Sequence, residues 1–180
     1  SPSSDRHPVG QRPSGNLPAV STRFVIIGGG PAGNTAATHA ARLGAQVTLI
    51  ERDVIGGAAH LWDCIPSKTM IATGGAMSFT RRIRGMGLEQ QQAEVDVDAL
   101  TDRIEGIKDH LKANTTQLLT SQGVELLHGT ARLLGPNEVE VVTAAGSRII
   151  EADAFLIATG TSPRIPEWCS PDGERILTTR

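Results

Sequence analysis

The sequence has no surplus of either charge. Its 17 Lys and Arg against 19 Asp and Glu leave a formal net charge of -2. No run of basic residues offers a stripe along which a phosphate backbone could track, so no nucleic-acid partner is expected. No apolar stretch approaches the roughly 20 residues needed to cross a bilayer, and no transmembrane segment is expected. The first residues lack the basic-then-apolar order of a secretory signal. Two cysteines, Cys64 and Cys169, are too few for a disulfide framework, which makes a reducing, cytoplasmic setting the expectation. No metal site is expected, and there is no internal repeat. The chain does not start with Met, so its first residues are expected to be a processed or incomplete end.

What is present is enough for one globular domain: 180 residues, 39% of them hydrophobic, can enclose a sizeable core. Residues 1–22 are the exception. They are rich in Ser, Pro, Gly and Arg without periodicity, and cannot bury enough apolar surface to offset ordering entropy. They read as a disordered tail.

From Arg23 the pattern changes. Phe24-Val25-Ile26-Ile27 is a continuous apolar run ending in glycines, as in a buried parallel strand. Pro31 stands where a first helical turn needs no N–H. Ala32 to Leu43 is Ala-rich and helix-favouring, with Gly44 to end it. Gln46 to Ile50 reads as the next strand. The whole is a β-α-β unit of about 30 residues, the size of a parallel crossover. A helix is expected from Cys64 to about Phe79, while Arg81 to Val95 carries no clear pattern. From Val97, the residues Leu100, Ile104, Ile107, Leu111 and Leu118 form one apolar stripe on a long helix closed at Gly123, expected to pack on the sheet. Val124 to Leu127 reads as a strand. Glu138 to Val142 and Arg148 to Ile150 read as a small antiparallel meander around the turn Ala144-Ala145-Gly146. Ala154 to Ile157 is a last buried strand, ending at Ala158-Thr159-Gly160.

Gly28-Gly29-Gly30-Pro31-Ala32-Gly33 matches G-x-G-x-x-G between a strand and a helix, the context that gives this motif its meaning. Gly28 permits the tight turn, Gly30 lets a pyrophosphate approach the backbone, and Gly33 lets helix and sheet pack closely. The helix N-terminus adds unpaired N–H groups and a positive dipole end. Glu51 closes the second strand, 51 − 30 = 21 residues after Gly30. That is close to the spacing of about 20 expected for an acid gripping ribose hydroxyls. Dinucleotide binding follows, though the motif alone does not separate FAD from NAD.

Two later segments do. Gly56-Gly57-Ala58-Ala59-His60-Leu61-Trp62-Asp63-Cys64-Ile65-Pro66-Ser67-Lys68 resembles the redox-disulfide segment of the pyridine-nucleotide disulfide oxidoreductases, usually G-G-T-C-x-x-x-G-C-x-P-S-K. Ala158-Thr159-Gly160-Thr161-Ser162-Pro163-Arg164-Ile165-Pro166 is similar to that family's A-T-G-x-x-P-x-x-P strand end. Gly129-Thr130-Ala131 resembles its short G-x-A segment along the adenosine. The resemblance covers Arg23 to the C-terminus. It implies an α/β fold: a Rossmann-like FAD/NAD(P)-binding domain with a parallel sheet, crossover helices and a small antiparallel β-meander. It implies an incomplete FAD-binding domain over 23–166, with 167–180 leading towards a separate NAD(P)-binding domain. The implied cofactor is FAD, and NAD(P)H is the implied substrate of the whole enzyme. FAD would be held by Gly28, Gly30, Pro31, Ala32, Gly33, Glu51, Arg52, Gly57, Ala58, Cys64, Lys68, Gly129, Ala131, Ala158, Thr159 and Gly160. Cys64 matches the cysteine nearest the flavin and Lys68 the lysine near flavin N5, where a cation stabilises negative charge on the reduced ring. These two are the implied catalytic residues. A homodimer is implied for the whole enzyme.

The chain departs from the family pattern at three places in the redox segment. Ala58 replaces Thr, Ala59 replaces the first cysteine, and Asp63 replaces the Gly before the second. Thiol–disulfide exchange needs an attacking thiolate and a resolving partner, and Ala59 supplies neither. This form, and the ending Pro171 to Thr178, resemble a lipoamide-dehydrogenase-like branch described as NAD(P)H:quinone reductases. No second glycine fingerprint follows, so the chain is expected to be the front part of an enzyme and inactive by itself. Three readings stand at this point: an NAD(P)H oxidoreductase passing electrons to a small acceptor such as a quinone, a dihydrolipoyl dehydrogenase, and a non-catalytic FAD-binding module.

Overall fold

The computed structural model describes residues 21–84, 86–89 and 93–178. The expected tail lies outside the described residues except for positions 21 and 22.

Strand β1 (Arg23–Ile27) leads into helix α1 (Pro31–Arg42), and the chain returns as β2 (Gln46–Glu51). A π-helical stretch, Ala59–Cys64, then runs into helix α2 (Ile65–Arg82). Helix α3 (Val97–Ser121) follows, capped by Asp96, whose carboxylate accepts from the Ala99 amide at 2.9 Å. The remaining elements are β3 (Glu125–His128), β4 (Thr130–Leu133), β5 (Glu138–Thr143), β6 (Gly146–Glu151) and β7 (Ala154–Ile157). β3, β2, β1 and β7 form, in that order, a parallel four-stranded sheet, and β4, β5 and β6 an antiparallel three-stranded one.

The alternation of strand side chains explains the layers. From β1 and β2, Ile26, Val47 and Leu49 face one way and pack with Ala37 of α1, Leu119 of α3 and Val124. Val25 and Ile50 face the other way and meet Val139 and Val141 of the meander and Ala152 just after it. The parallel sheet is thus covered by helices on one face and by the meander on the other, a Rossmann-like α/β arrangement. Complete burial of side chains such as Ile26, Leu49 and Leu119 stabilises by roughly 1.5–3 kcal/mol each.

Three details differ from expectation. The packed stripe of α3 is Leu100, Ile104, Lys108, Leu111, Thr115 and Leu119, while Ile107 and Leu118 are exposed. Lys108 holds its place by lying along the helix with its ammonium 2.8 Å from Glu105. The meander has a third strand, β4, in the segment expected to lie along an adenosine. Helix α2 extends to Arg82 rather than Phe79.

Gly74 and Gly75 sit on exposed turns of α2 with open space where a Cβ would stand. Alanine there removes backbone freedom from the unfolded chain without a clash. Gly74→Ala is expected to raise stability by about 0.5–1 kcal/mol, read as a higher urea midpoint at constant slope.

The meander is tied to the sheet by Glu125 of β3, which takes the Thr48 hydroxyl at 2.9 Å and the Arg148 guanidinium at 2.7 Å. The Arg148 hydrogen bond, helped by Thr48 and opposed by burial, holds the Glu125 carboxyl below its usual range. A carboxyl depressed in the folded state contributes stability above its unfolded pKa and loses it as pH falls through the folded value. Glu125→Gln should therefore be less stable than wild type at neutral pH by a few tenths of a kcal/mol, as befits a half-exposed pair. The difference should shrink once pH falls below the ordinary glutamate value of about 4.3 and vanish below the lower folded value, followed by urea unfolding across that range.

Candidate functional site

The register of the parallel sheet brings the carboxyl ends of all four strands to one edge. Ile27 pairs with Ile50 on one side and Ile157 on the other, and Glu51 lies opposite His128. Gly28, Glu51, Gly129 and Ala158 therefore emerge side by side, where ligands of open α/β sheets bind. The backbone stitches these exits together. The Gly28 amide donates to the Ile50 carbonyl at 2.8 Å, Ala158 to Ile27 at 2.8 Å, and Gly129 to Glu51 at 2.9 Å.

Above this edge opens a cleft of about 410 Å³. Its floor is the glycine turn. Gly28 has φ +112°, and a Cβ there would run into the Ala158 carbonyl. Gly33 is buried, and a Cβ there would collide with the Gly28 carbonyl, so glycine is what lets α1 start this close to the sheet. The N-cap Gly30 has no side chain to cap the helix, which leaves the first-turn amides to whatever occupies the cleft. A Cβ on Gly30 would project into space, with Gly57 its nearest neighbour at 3.9 Å.

The cleft wall gathers most of the residues singled out in the sequence. Gly28, Gly30, Pro31 and Ala32 line it from the turn, Glu51 and Arg52 from the end of β2, and Gly57 and Ala58 from the segment after it. Gly129 and Ala131 line it from the start of β4, and Ala158, Thr159 and Gly160 from the end of β7. Gly33 stands behind the wall as a packing residue. Cys64 and Lys68 are exposed and lie outside the lining, although Ala59 and Asp63 of the same helical stretch are in it. Both Cys64 and Cys169 are free thiols.

Glu51 does more than the sequence suggested. Its carboxylate accepts from the Gly29 amide at 2.6 Å and from the Asp53 amide at 2.6 Å. It therefore clamps the glycine turn to the end of β2, and each oxygen retains a further lone pair for a hydroxyl. Sequence reasoning missed Asp53, Thr130 and Thr161 as wall residues, and noticed Asp63 only as a departure from the usual glycine. For Thr130, the signal available was the residue between Gly129 and Ala131. Among the described residues, no helix is long and apolar enough to cross a membrane.

A family model described as pyridine nucleotide-disulphide oxidoreductase matches residues 22–177. The chain belongs to that family. Among curated members, the NAD(P)H dehydrogenase (quinone) of Mycobacterium tuberculosis is 42% identical over 171 residues, covering 88% of this chain and 35% of the relative. The chloroplastic dihydrolipoyl dehydrogenase 2 of Arabidopsis thaliana is 32% identical over 159 residues, covering 87% of this chain and 27% of the relative. Among solved structures, LpdA from Mycobacterium tuberculosis superposes with a TM-score of 0.78 at 39% identity, covering 88% of this chain and 36% of LpdA. The HOCl-induced flavoprotein disulfide reductase RclA from Escherichia coli superposes at 0.68 with 23% identity, covering 82% of this chain and 30% of RclA, and speaks for the fold alone. The chain spans about a third of the length of these curated relatives. The family's description and the names of these curated relatives are those of oxidoreductases.

Proposed function

We propose that this chain is the FAD-binding part of an enzyme that takes electrons from NAD(P)H and passes them directly to a small acceptor, a quinone, without an active-site disulfide. The observation that carries the reading is Ala59. It stands where the family's first redox cysteine would be, and Cys64 is left as a free thiol. The 42%-identical relative named NAD(P)H dehydrogenase (quinone) supports the same acceptor class.

The site's residues fit a flavin dinucleotide. The cradle over Gly30, which a Cβ would begin to fill, suits a pyrophosphate held by the first amides of α1. Glu51 has acceptor capacity left for ribose hydroxyls, and its charge disfavours a phosphate at that position. Gly129 and Ala131 offer a low wall to the adenosine, and Ala158 to Gly160 close the opposite side. When bound, FAD supplies a ring system able to take up a hydride and release electrons to an acceptor. Lys68, by the family resemblance, brings a cation towards that ring, and Cys64 a thiol that tunes it.

Dihydrolipoyl dehydrogenase is the second reading, favoured by relatives such as that of Arabidopsis thaliana. It requires a thiol pair that Ala59 interrupts. The deciding experiment is steady-state reduction of a quinone and of lipoamide by the intact protein that carries this chain, purified with its bound flavin identified. Quinone reduction with little lipoamide reduction supports the proposal, and the reverse defeats it.

A further inference from the structure

Among the described residues that line the cleft, Asp63 has a buried side-chain oxygen without a hydrogen-bond partner. The family pattern has glycine at this position, so the carboxylate is a departure from that pattern. Asp63 lies in the π-helical stretch 59–64 and lines the cleft. Its Oδ1 is buried and makes no hydrogen bond. The residue is fixed from behind, because its backbone carbonyl accepts the Ser67 hydroxyl at 2.7 Å. Buried polar atoms in folded proteins are almost always satisfied, and a carboxylate oxygen loses most by being left without a donor. A ligand that fills the cleft would supply the donor that the wall does not.

The position of Asp63 restricts which donor that is. The segment that carries it is stitched to the glycine turn. The Gly56 amide donates to the Gly29 carbonyl at 2.9 Å, and Gly57, at φ +74°, packs its backbone against Gly30. Phosphates at that turn carry acceptors and would repel a carboxylate. Ribose hydroxyls have Glu51. Between phosphate and ring, a flavin dinucleotide carries a polyol linker, and its hydroxyls are the donors next in line.

We propose that Asp63 is a positioning residue whose Oδ1 accepts a hydrogen bond from a polyol hydroxyl of the bound cofactor, an inference that rests on the FAD reading above. The test is titration of the apoprotein form of the intact protein with FAD and with ADP, followed by flavin absorbance and by calorimetry. Asp63→Leu should weaken FAD binding about ten- to hundredfold, the loss expected for a hydrogen bond to a charged acceptor. It should leave ADP, which has no polyol, unchanged, and that also shows the variant is folded. Asp63→Asn keeps an acceptor oxygen and should stay within about threefold of wild type. Unchanged FAD affinity in Asp63→Leu, an equal loss for ADP, or an Asn variant as weak as Leu would overturn the assignment. Wild-type apoprotein that binds ADP but never FAD would instead defeat the FAD reading itself.

Discussion

Gly33→Ala is expected to lower stability by about 3 kcal/mol and to weaken flavin retention at least tenfold. A methyl group at this position meets the Gly28 carbonyl well inside van der Waals contact, with Ile26 Cγ2 only 3.3 Å away. Overpacking usually costs about 1–3 kcal/mol, and the upper end applies when the obstacle is backbone instead of a side chain that can rotate. Gly28 cannot give way. Its amide is bonded to Ile50 at 2.8 Å, and its own Cα faces the Ala158 carbonyl. Helix α1 must therefore lift from the sheet, loosening Ala37 against Ile26 and Leu119. The same movement carries the first-turn amides away from the cleft, which joins the stability loss to the binding loss. Urea unfolding and the flavin-to-protein ratio after gel filtration measure the two effects. A variant with wild-type values for both would show that the helix does not need this close approach. Gly74→Ala is the contrast within the same chain: the chemical change is identical, the site is open, and the sign is reversed.

The parts of this molecule that were legible in the sequence are those in which one short segment determines its own geometry. The glycine turn is such a segment, and so are the apolar runs of β1 and β7, whose buried parallel pairing leaves no alternation to misread. Glu51 was legible as the residue that closes β2. Its clamp on the Gly29 and Asp53 amides was not, because that contact depends on how the loop after β2 folds back. Strand β4 was missed because four residues, Thr130 to Leu133, carry too little pattern, and they become a strand only by pairing with β5. The phase of the α3 stripe slipped for a related reason. Leu118 and Leu119 are adjacent and equally apolar, and packing against α1 and the sheet selects Leu119. Asp63 was visible as a departure. That one of its oxygens is buried and unmatched is a property of the assembled wall.

The largest functional effect is expected at the redox segment. The intact protein should reduce a quinone at the expense of NAD(P)H and reduce lipoamide at least about a hundredfold less efficiently, since a missing covalent partner removes a whole step. A disulfide reductase sends electrons outward through two thiols, one of which attacks the substrate while the other receives electrons from the flavin side. Here position 59 is alanine, and Cys64 and Cys169 are both unpaired. Cys169 lies beyond Pro166, past the end of β7, whereas Cys64 ends the π-helical stretch that runs into α2. On the proposed reading, electrons leave to a molecule that reaches the flavin itself. A planar quinone can stack on such a ring and take up two electrons with no thiol chemistry. Cys64 then tunes its surroundings and carries no electrons outward, so Cys64→Ser should keep kcat/KM for quinone within about tenfold of wild type, a change of about 1.4 kcal/mol in transition-state stabilisation. In a relay enzyme the same substitution would abolish turnover. Steady-state assays of both proteins with both acceptors decide the matter. Efficient lipoamide reduction, or loss of all quinone activity in Cys64→Ser despite normal flavin content, would mean that a thiol route survives without a partner at Ala59.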